Sequence, residues 1–506
     1  MSGQKLREYQ RECLKQVGEH LKAGKKRILI TMPPGCGKGT VLAQIISSTV
    51  KAGKTGLFVV HRRELVHDIS QRISRLGAPH ALVQPGWYPI YNARFYVSTI
   101  QSWLSNVQRQ KIGAKPDFII IDEAHRINPS DGMYKRMLDM YPGVIIIMFT
   151  ASPCRGDGKG LGAVAEVLVQ PINYEQAFNE GFLCRPKYFV PTDLDLSKVA
   201  IKAGDYDPEE LGPIMEAPKM VGDVVAHYLA YTPYKKAVGF AVRVTHSKAM
   251  ADAFNAAGIP SAHIDGTTPK AERDQIFQDW RDSKILVVWN VSVCSEGIDI
   301  PDIEVVIHCK PTKSVINWIQ EPGRAFRPSP DKEHAIVLDH GGTYNRLGPV
   351  ESYTEWSLED RKGANRTAGE RNKAREKEIK TIKCYNCKSE FSGSIVCPSC
   401  GYVHNSARLP GYIEGDLVEA KGGKVPKKKV YTEADKQEWL SGLEYIRLSR
   451  QFSRSWIRDM YHSKFKEYPS LPEHIVASAP GIAVTNWIKH MAIKRSFRQF
   501  DRKAAK

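Results

Sequence analysis

Nine short apolar runs set the plan of this chain. RILITM (27–32), GLFVVH (56–61), RFYVST (94–99), DFIIID (117–122) and GVIIIMFT (143–150) are rich in β-branched residues and separated by longer amphipathic stretches. Continuous apolar runs of this length, alternating with helical patterns, predict strands buried on both faces of a parallel sheet. The pattern resumes with KAVGFAV (236–242), KILVVW (284–289), VVIHCK (305–310) and HAIVLD (334–339). Two α/β units in tandem, 1–180 and 181–356, are the simplest parse, with 181–235 as the crossing segment. Within it, 191–219 is polar and contains prolines, and is expected to be a loop or insertion rather than core.

The pattern changes after 356. Residues 357–383 are charged and poor in apolar side chains, which predicts a linker, helical or extended. A zinc-ribbon-like cysteine cluster follows at 384–410, then a basic tail at 411–506, expected to be helical and containing the Lys/Gly/Pro stretch KGGKVPKKK (421–429). Thr432 to Asp435 reads as a capping box starting a helix. Arg447, Arg450, Arg454 and Arg458 then fall on one helical face, with Phe452, Trp456 and Met460 opposite. A solvated arginine face and a phosphate-binding stripe both fit that spacing.

Charge sharpens the division. The chain of 506 residues carries a formal +18, and residues 361–506 hold 30 Lys/Arg against 15 Asp/Glu, a net +15. The first 360 residues hold the remaining 43 and 40, a net +3. A basic appendage on a near-neutral body predicts a polyanionic partner, with plain solubility as the alternative. No run approaches the roughly 18–20 apolar residues of a membrane span. The polar start MSGQKLREYQ is unlike a secretory leader, so a cytoplasmic protein of a bacterial or phage-infected cell is expected.

Two segments carry chemistry on residue type and spacing alone. The strand at 27–32 runs into PPGCGKGT (33–40) and an apolar helix. A strand, a Gly-rich turn and a helix N-terminus converge backbone N–H groups on an anion. Pro34, Gly35, Cys36, Gly37, Lys38, Gly39 and Thr40 are therefore the candidate phosphate loop for ATP, with Lys38 reaching the terminal phosphates. A hydroxyl residue for Mg²⁺ usually follows that lysine. Here Gly39 does, with Thr40 one place later. The string GKGT also occurs in small nucleotide kinases, and a structural glycine turn is the simpler alternative. The second segment, DFIIIDEAHR, ends a buried strand on Asp122 and Glu123, where α/β sheets expose their ligand sites. Asp122 fits a Mg²⁺ ligand and Glu123 a polariser of the attacking water.

With these in place the order of motifs is informative. DEAH (122–125), FTASPCRGDGKGL (149–161) and QEPGRAFR (320–327) resemble motifs II, III and VI of superfamily-two helicases. LREYQ (6–10) resembles the adenine-reading element, VVHRREL (59–65) and VSTIQS (97–102) the first strand-contacting motifs, and SEGIDIP (295–301) motif V. The resemblance spans about 1–355. It is greatest to the branch of repair helicases, branch-migration enzymes and restriction motors, with many phage and prophage helicases. It implies two RecA-like α/β domains and roles residue by residue. Gln10 would contact the base and His125 would couple the site to the second domain. Gln320, Arg324 and Arg327 would face ATP across the cleft, and Gly297 and Asp299 would touch the nucleotide. Arg62, Thr99, Gln101, Ser152 and Glu296 would serve the nucleic-acid path. Trp103 and Trp318 are stacking candidates, although buried aromatics are commoner.

CYNC and CPSCG place Cys384, Cys387, Cys397 and Cys400 as paired CxxC knuckles. That arrangement suits a tetrahedral Zn²⁺ ribbon better than a redox pair. Tyr385, Phe391 and Tyr402 are either its small core or a stacking surface. The remaining six cysteines are scattered singly, as in a reducing compartment. The expected protein is an ATP-dependent DNA helicase or translocase for forked or branched DNA. Its partners would include replication or recombination proteins. An RNA-remodelling ATPase and a zinc-dependent binding protein with a weak ATPase are the alternatives. No nuclease motif is evident in the tail.

Overall fold

The computed structural model describes residues 6–360, less 86–92, 109–114, 156–158, 192–195, 203, 296–299, 301 and 331, together with 382–383, 390–391, 417–420, 432–465 and parts of 467–488. The first domain is a seven-stranded sheet of β1 (Arg27–Thr31), β2 (Gly56–Val60), β3 (Ala81–Val83), β4 (Phe95–Thr99), β5 (Phe118–Ile121), β6 (Ile145–Thr150) and β7 (Val167–Val169). Its order is β3-β4-β2-β5-β6-β1-β7, and every pairing is parallel. Because strand side chains alternate between faces, one unbroken apolar run feeds two cores. Ile28, Ile30, Phe58, Val60 and Ile120 enter one cluster, and Leu29, Leu57, Val59, Ile119 and Ile121 enter the other. Each such fully buried branched side chain contributes about 1.5–3 kcal/mol. The helix Arg63–Arg75 covers the first face with Val66, Ile69 and Ile73.

The second domain repeats the plan with β8 (Pro186–Pro191), β11 (Ala237–Phe240), β12 (Ser261–Ile264), β13 (Val287–Asn290), β14 (Val305–His308) and β15 (Ala335–Asp339), with a small hairpin of β9 (Ile201–Lys202) and β10 (Asp205–Tyr206) between β8 and β11. A two-residue ladder of β16 (Ile382–Lys383) and β17 (Glu390–Phe391) follows, then β18 (Leu417–Ala420). The sheet order is β12-β13-β11-β14-β15-β8-β18, with β18 antiparallel on β8. The tail therefore begins by closing the edge of the second domain, which a purely helical tail did not foresee.

Three further expectations change. Segment 191–219 is not a loop over the surface: Leu196, Val199, Tyr206, Leu211, Ile214 and Met215 belong to the second domain's core. Of these, Leu211, Ile214 and Met215 are buried by the helix Pro208–Met215, while Leu196, Val199 and Tyr206 reach the core from outside it. The start of the expected linker is packed as well. Gly162 N–H donates to Leu358 O at 2.8 Å, Gly160 N–H to the Asp360 carboxylate at 3.0 Å, and Leu358 lies against the first domain's core. Finally, the arginine stripe is split. The helix Glu433–Arg450, capped as expected by Thr432 and Asp435, ends at Gln451 in a left-handed conformation (φ 55°), and a second helix, Arg454–Phe465, starts anew. Arg447 pairs with Glu444 at 2.7 Å, while Arg450, Arg454 and Arg458 are exposed. The two helices share a core of Trp439, Leu443, Ile457, Met460 and Trp487, separate from the sheet cores. Among the described residues no helix is long and apolar enough to cross a membrane.

Candidate nucleotide site

The site lies where the C-terminal ends of β1 and β5 meet the second domain. Leaving β1, the chain turns through Gly35 (φ 89°) and Gly37 (φ 76°) into the helix Lys38–Lys51. Both glycines hold left-handed conformations that strain any other residue. They aim the first N–H groups of a 14-residue helix at one point, and those groups have no intrahelical acceptor. Lys38 crosses that point to Asp122 at 3.2 Å and Glu123 at 3.4 Å. Burial alone would lower the lysine's pKa, but the two carboxylates hold its ammonium well above the ordinary value. Burial raises Asp122, an effect that Lys38 only partly offsets. Burial also pushes the Cys36 thiol up to about 12, which makes it a packing residue rather than a nucleophile.

Glu123 sits in a left-handed conformation (φ 55°) at the start of the short helical turn Ala124–Arg126. Strain of this kind amounts to about 1–3 kcal/mol and concentrates where a side chain must be aimed. From Glu123 a polar chain leads into the domain. His125 Nδ1 lies 3.4 Å from its carboxylate and 3.1 Å from Thr150 Oγ1, and Thr150 donates to Ser152 O at 2.9 Å. His125 and Ser152 are both buried. Gln10, at the start of the helix Glu8–Lys22, directs its amide at the loop carbonyls of Cys36 (3.4 Å) and Gly37 (3.5 Å).

The second domain closes over this loop. Gln320 Nε2 reaches Glu123 Oε2 at 3.5 Å. Gly323 faces Pro34, and Leu183 and the Arg327 side chain lie against Gly35. Arg324 donates instead to Ser295 O within its own domain. Lys38, Asp122, Glu123, His125, Gln320 and Arg327 thus share one cleft. Glu296, Gly297 and Asp299 lie outside the described residues, as do Cys384, Cys387, Cys397 and Cys400.

Of the residues assigned to the strand path, Gln101 is exposed, but Thr99 is buried with its hydroxyl donated to Ser102 at 2.9 Å. Arg62 spans the cleft to the carbonyls of Ser292 (3.1 Å) and Val293 (3.5 Å). Trp103 and Trp318 are fully buried, so neither offers a face to a base.

The donor set fits a hard dication. Two carboxylates face the Lys38 ammonium in a nearly closed niche, and oxygen ligands are what Mg²⁺ takes. A Cβ at Gly39 would meet only the Arg72 guanidinium, 3.5 Å away and in ordinary contact, so nothing in the local packing explains why the usual hydroxyl is absent there. Thr40, in the same helical turn, is the remaining hydroxyl.

Several residues escaped sequence reasoning. Tyr9 donates to Cys36 O at 2.7 Å and braces the phosphate loop. Lys332 is buried behind the arginine segment and donates to the carbonyls of Ile303 (2.6 Å), Ala325 and Arg327 (2.7 Å). Burial lowers its pKa to about 8. Glu321, wholly buried, gathers His308, Lys310 and Ser295. Glu321 and Lys332 read as ordinary charges in sequence, and only the fold shows them inside. Tyr9, beside Gln10 in the adenine-reading element, carried the one usable signal.

The chain is similar to known proteins across both domains. The family model for the Type III restriction enzyme res subunit matches residues 3–155, and that for the helicase conserved C-terminal domain matches 222–329. A 51.5 kDa protein of a Lactococcus phage is 29% identical over 418 residues, covering 81% of this chain and 87% of the phage protein. IRC3 of Saccharomyces cerevisiae, provisionally named an ATP-dependent helicase, is 25% identical over 370 residues. That match covers 69% of this chain and 53% of the yeast protein, so the chain spans about half its length. Among solved structures, the ATP-dependent Type ISP restriction-modification enzyme LlaBIII bound to DNA aligns with a TM-score of 0.51 at 18% identity, covering 67% of this chain and 28% of that one. At that identity the likeness speaks for the fold alone.

Proposed function

We infer that this superfamily-two helicase is an ATP-driven DNA translocase that remodels forked or branched DNA. The observation that carries the inference is the contact of Gln320 with Glu123 across the domain boundary, beside Gly323 on Pro34. A hydrolytic carboxylate shared between two domains ties turnover to cleft closure, and opening and closing on each turnover is what moves a motor along a strand.

In this reading the N–H groups of the phosphate loop and Lys38 hold the phosphates, and Gln10 lies on the base side. Asp122 and Thr40 would hold Mg²⁺, which would supply neutralisation of charge on the phosphates. Glu123 polarises the attacking water, and Arg327 with Arg324 approaches the γ-phosphate as the cleft shuts. Such arginines are worth roughly 10³–10⁵ in rate elsewhere. Gly297 and Asp299 contribute from motif V. Arg62, Gln101, Glu296 and the segments holding Thr99 and Ser152 serve the strand path. Contacts to the sugar-phosphate backbone suit a protein that must step without reading sequence.

Cys384, Cys387, Cys397 and Cys400 would form a Zn²⁺ ribbon, and the exposed Arg450, Arg454 and Arg458 a phosphate-binding face. Together with the net +15 of residues 361–506, these modules would choose the DNA structure acted on. The deciding experiment is ATPase activity with no nucleic acid, single-stranded, forked and four-way DNA, and RNA. Stimulation by DNA above RNA, abolished by Lys38→Ala, supports the reading. Equal rates with and without nucleic acid would leave a zinc-dependent binding protein, and stronger stimulation by RNA an RNA remodeller.

A further inference from the structure

The second domain contains an ionic cluster centred on the buried Glu321, to which none of the roles above assigns a function. Glu321 follows Gln320 at the end of the helix Val315–Gln320 and is wholly inaccessible. One carboxylate oxygen accepts from Lys310 Nζ at 3.0 Å and Ser295 Oγ at 3.1 Å, and the other lies 2.9 Å from His308 Nε2. His308, the last residue of β14, has its Nδ1 3.5 Å from the Asp339 carboxylate at the end of β15. Asp339 in turn accepts the Tyr344 N–H at 2.7 Å. Burial works against the Glu321 carboxylate, but Lys310 and His308 outweigh it and hold its pKa down at about 2. A buried charge is kept only when paired this closely, and removing one partner is strongly unfavourable.

The placement matters more than the pairing. Ser295 is gripped twice by the same segment, its hydroxyl by Glu321 and its carbonyl by the Arg324 guanidinium. Ser295 also begins SEGIDIP, while Gln320, next to Glu321, is the residue that touches Glu123 in the first domain. The acid therefore stands between Ser295, the first residue of the motif expected to touch both ligands, and the segment that meets Glu123.

We propose that Glu321 is a positioning residue that locks the Ser295 loop to the Gln320–Arg327 segment, so that displacement of one by a nucleic-acid strand moves the other against the nucleotide. It acts through Ser295 and Gln320 and touches neither ligand. The proposal rests on the motor reading above.

The test uses the full chain and compares ATPase with saturating single-stranded DNA to the rate without it. In Ser295→Ala, which leaves Glu321 paired with His308 and Lys310, the stimulation ratio falls on the order of tenfold, the worth of one charge-assisted hydrogen bond. KM for ATP stays within about twofold. Ser295→Thr, which keeps the hydroxyl, restores the ratio. Glu321→Gln falls at least as far, and the double variant Ser295→Ala/Glu321→Gln is no worse than Glu321→Gln, because both changes break one link.

Folded variants stimulated like the parent would overturn the proposal. So would losses that multiply in the double variant, or a raised KM at unchanged kcat. If Glu321→Gln shows no cooperative melt, the Ser295→Ala and Ser295→Thr pair decides alone. A parent protein that DNA does not stimulate at all refutes the motor reading itself, whereas a stimulated parent with unaffected variants refutes only the coupling.

Discussion

Gly323→Ala is the sharpest test of the closed cleft, because it adds one methyl at the boundary and little else. Gly323 lies in the short turn Pro322–Arg324 and is buried. It is absent from the glycines with positive φ, so alanine fits its backbone. The new Cβ would stand 3.0 Å from Pro34 Cβ and 3.2 Å from Pro34 Cγ. Carbon atoms in good contact are about 3.5–4.0 Å apart, so the segment and the loop must separate by roughly half an ångström. Overpacking of this size costs about 1–3 kcal/mol, which lowers the closure equilibrium roughly 5- to 150-fold. Pro34 and Gly323 belong to different domains, so the penalty exists only when the cleft is shut. The expected outcome is a DNA-stimulated kcat reduced by that factor, with an unchanged melting temperature and unchanged ADP binding in the absence of DNA. Steady-state ATPase, thermal denaturation and nucleotide titration check the three parts. A kcat within twofold of the parent, in a variant that melts normally, would refute closure onto Pro34 as a step in turnover.

Glu123→Gln should retain nucleotide binding and lower kcat by about 10²–10⁴, the usual worth of a positioned base, and rapid-quench turnover checks it. His246, buried with Nδ1 accepting the Val242 N–H at 3.2 Å, has its pKa lowered by burial to about 4. The unfolded chain, near 6.5, takes up the proton first, so stability held above pH 6.5 is lost as pH falls toward 4. Between pH 6.5 and 5 that amounts to about 2 kcal/mol. Urea denaturation at the two pH values should show this loss, and His246→Gln should lack it. Deleting 432–506, which spares β18 and removes helices with their own core, should weaken DNA binding and flatten its dependence on salt, measured by titration at several ionic strengths. An unaltered slope would dismiss the tail as a DNA module. Cys397→Ser should release one Zn²⁺ per chain while sparing basal ATPase, and metal analysis decides it.

The central strands were legible because a strand buried on both faces writes itself as an unbroken apolar run, and β1, β2, β4, β5, β6, β11, β13, β14 and β15 all do. The missed strands had no such run. β3 and β7 are three residues long, β8 is bounded by Pro186 and Pro191, and β12 carries Ser261 and His263. β18 was illegible for a different reason: it pairs with β8 from far along the chain, in a segment whose composition announces only a basic tail. The arginine stripe failed on one residue. Spacing at 3.6 residues assumes an unbroken helix, and nothing in Gln451 says that it will turn left-handed.

For the site, the sequence named candidates for the chemistry and the fold shows what holds them. Lys38, Asp122 and Glu123 were readable as candidates because phosphate and metal chemistry call for those side chains at a Gly-rich helix start and a buried strand end. Their supports are readable only in three dimensions, since a buried lysine such as Lys332 looks in sequence like any surface lysine. Yet the supports determine whether the cleft acts as a unit. Lys332 fixes the carbonyls of Ala325 and Arg327, Glu321 fixes Ser295, and Arg62 reaches across to Ser292. If the cleft works as a motor, substitutions in this supporting set should weaken the link between DNA binding and hydrolysis before they weaken hydrolysis itself. Substitutions at Lys38 or Glu123 should remove both together.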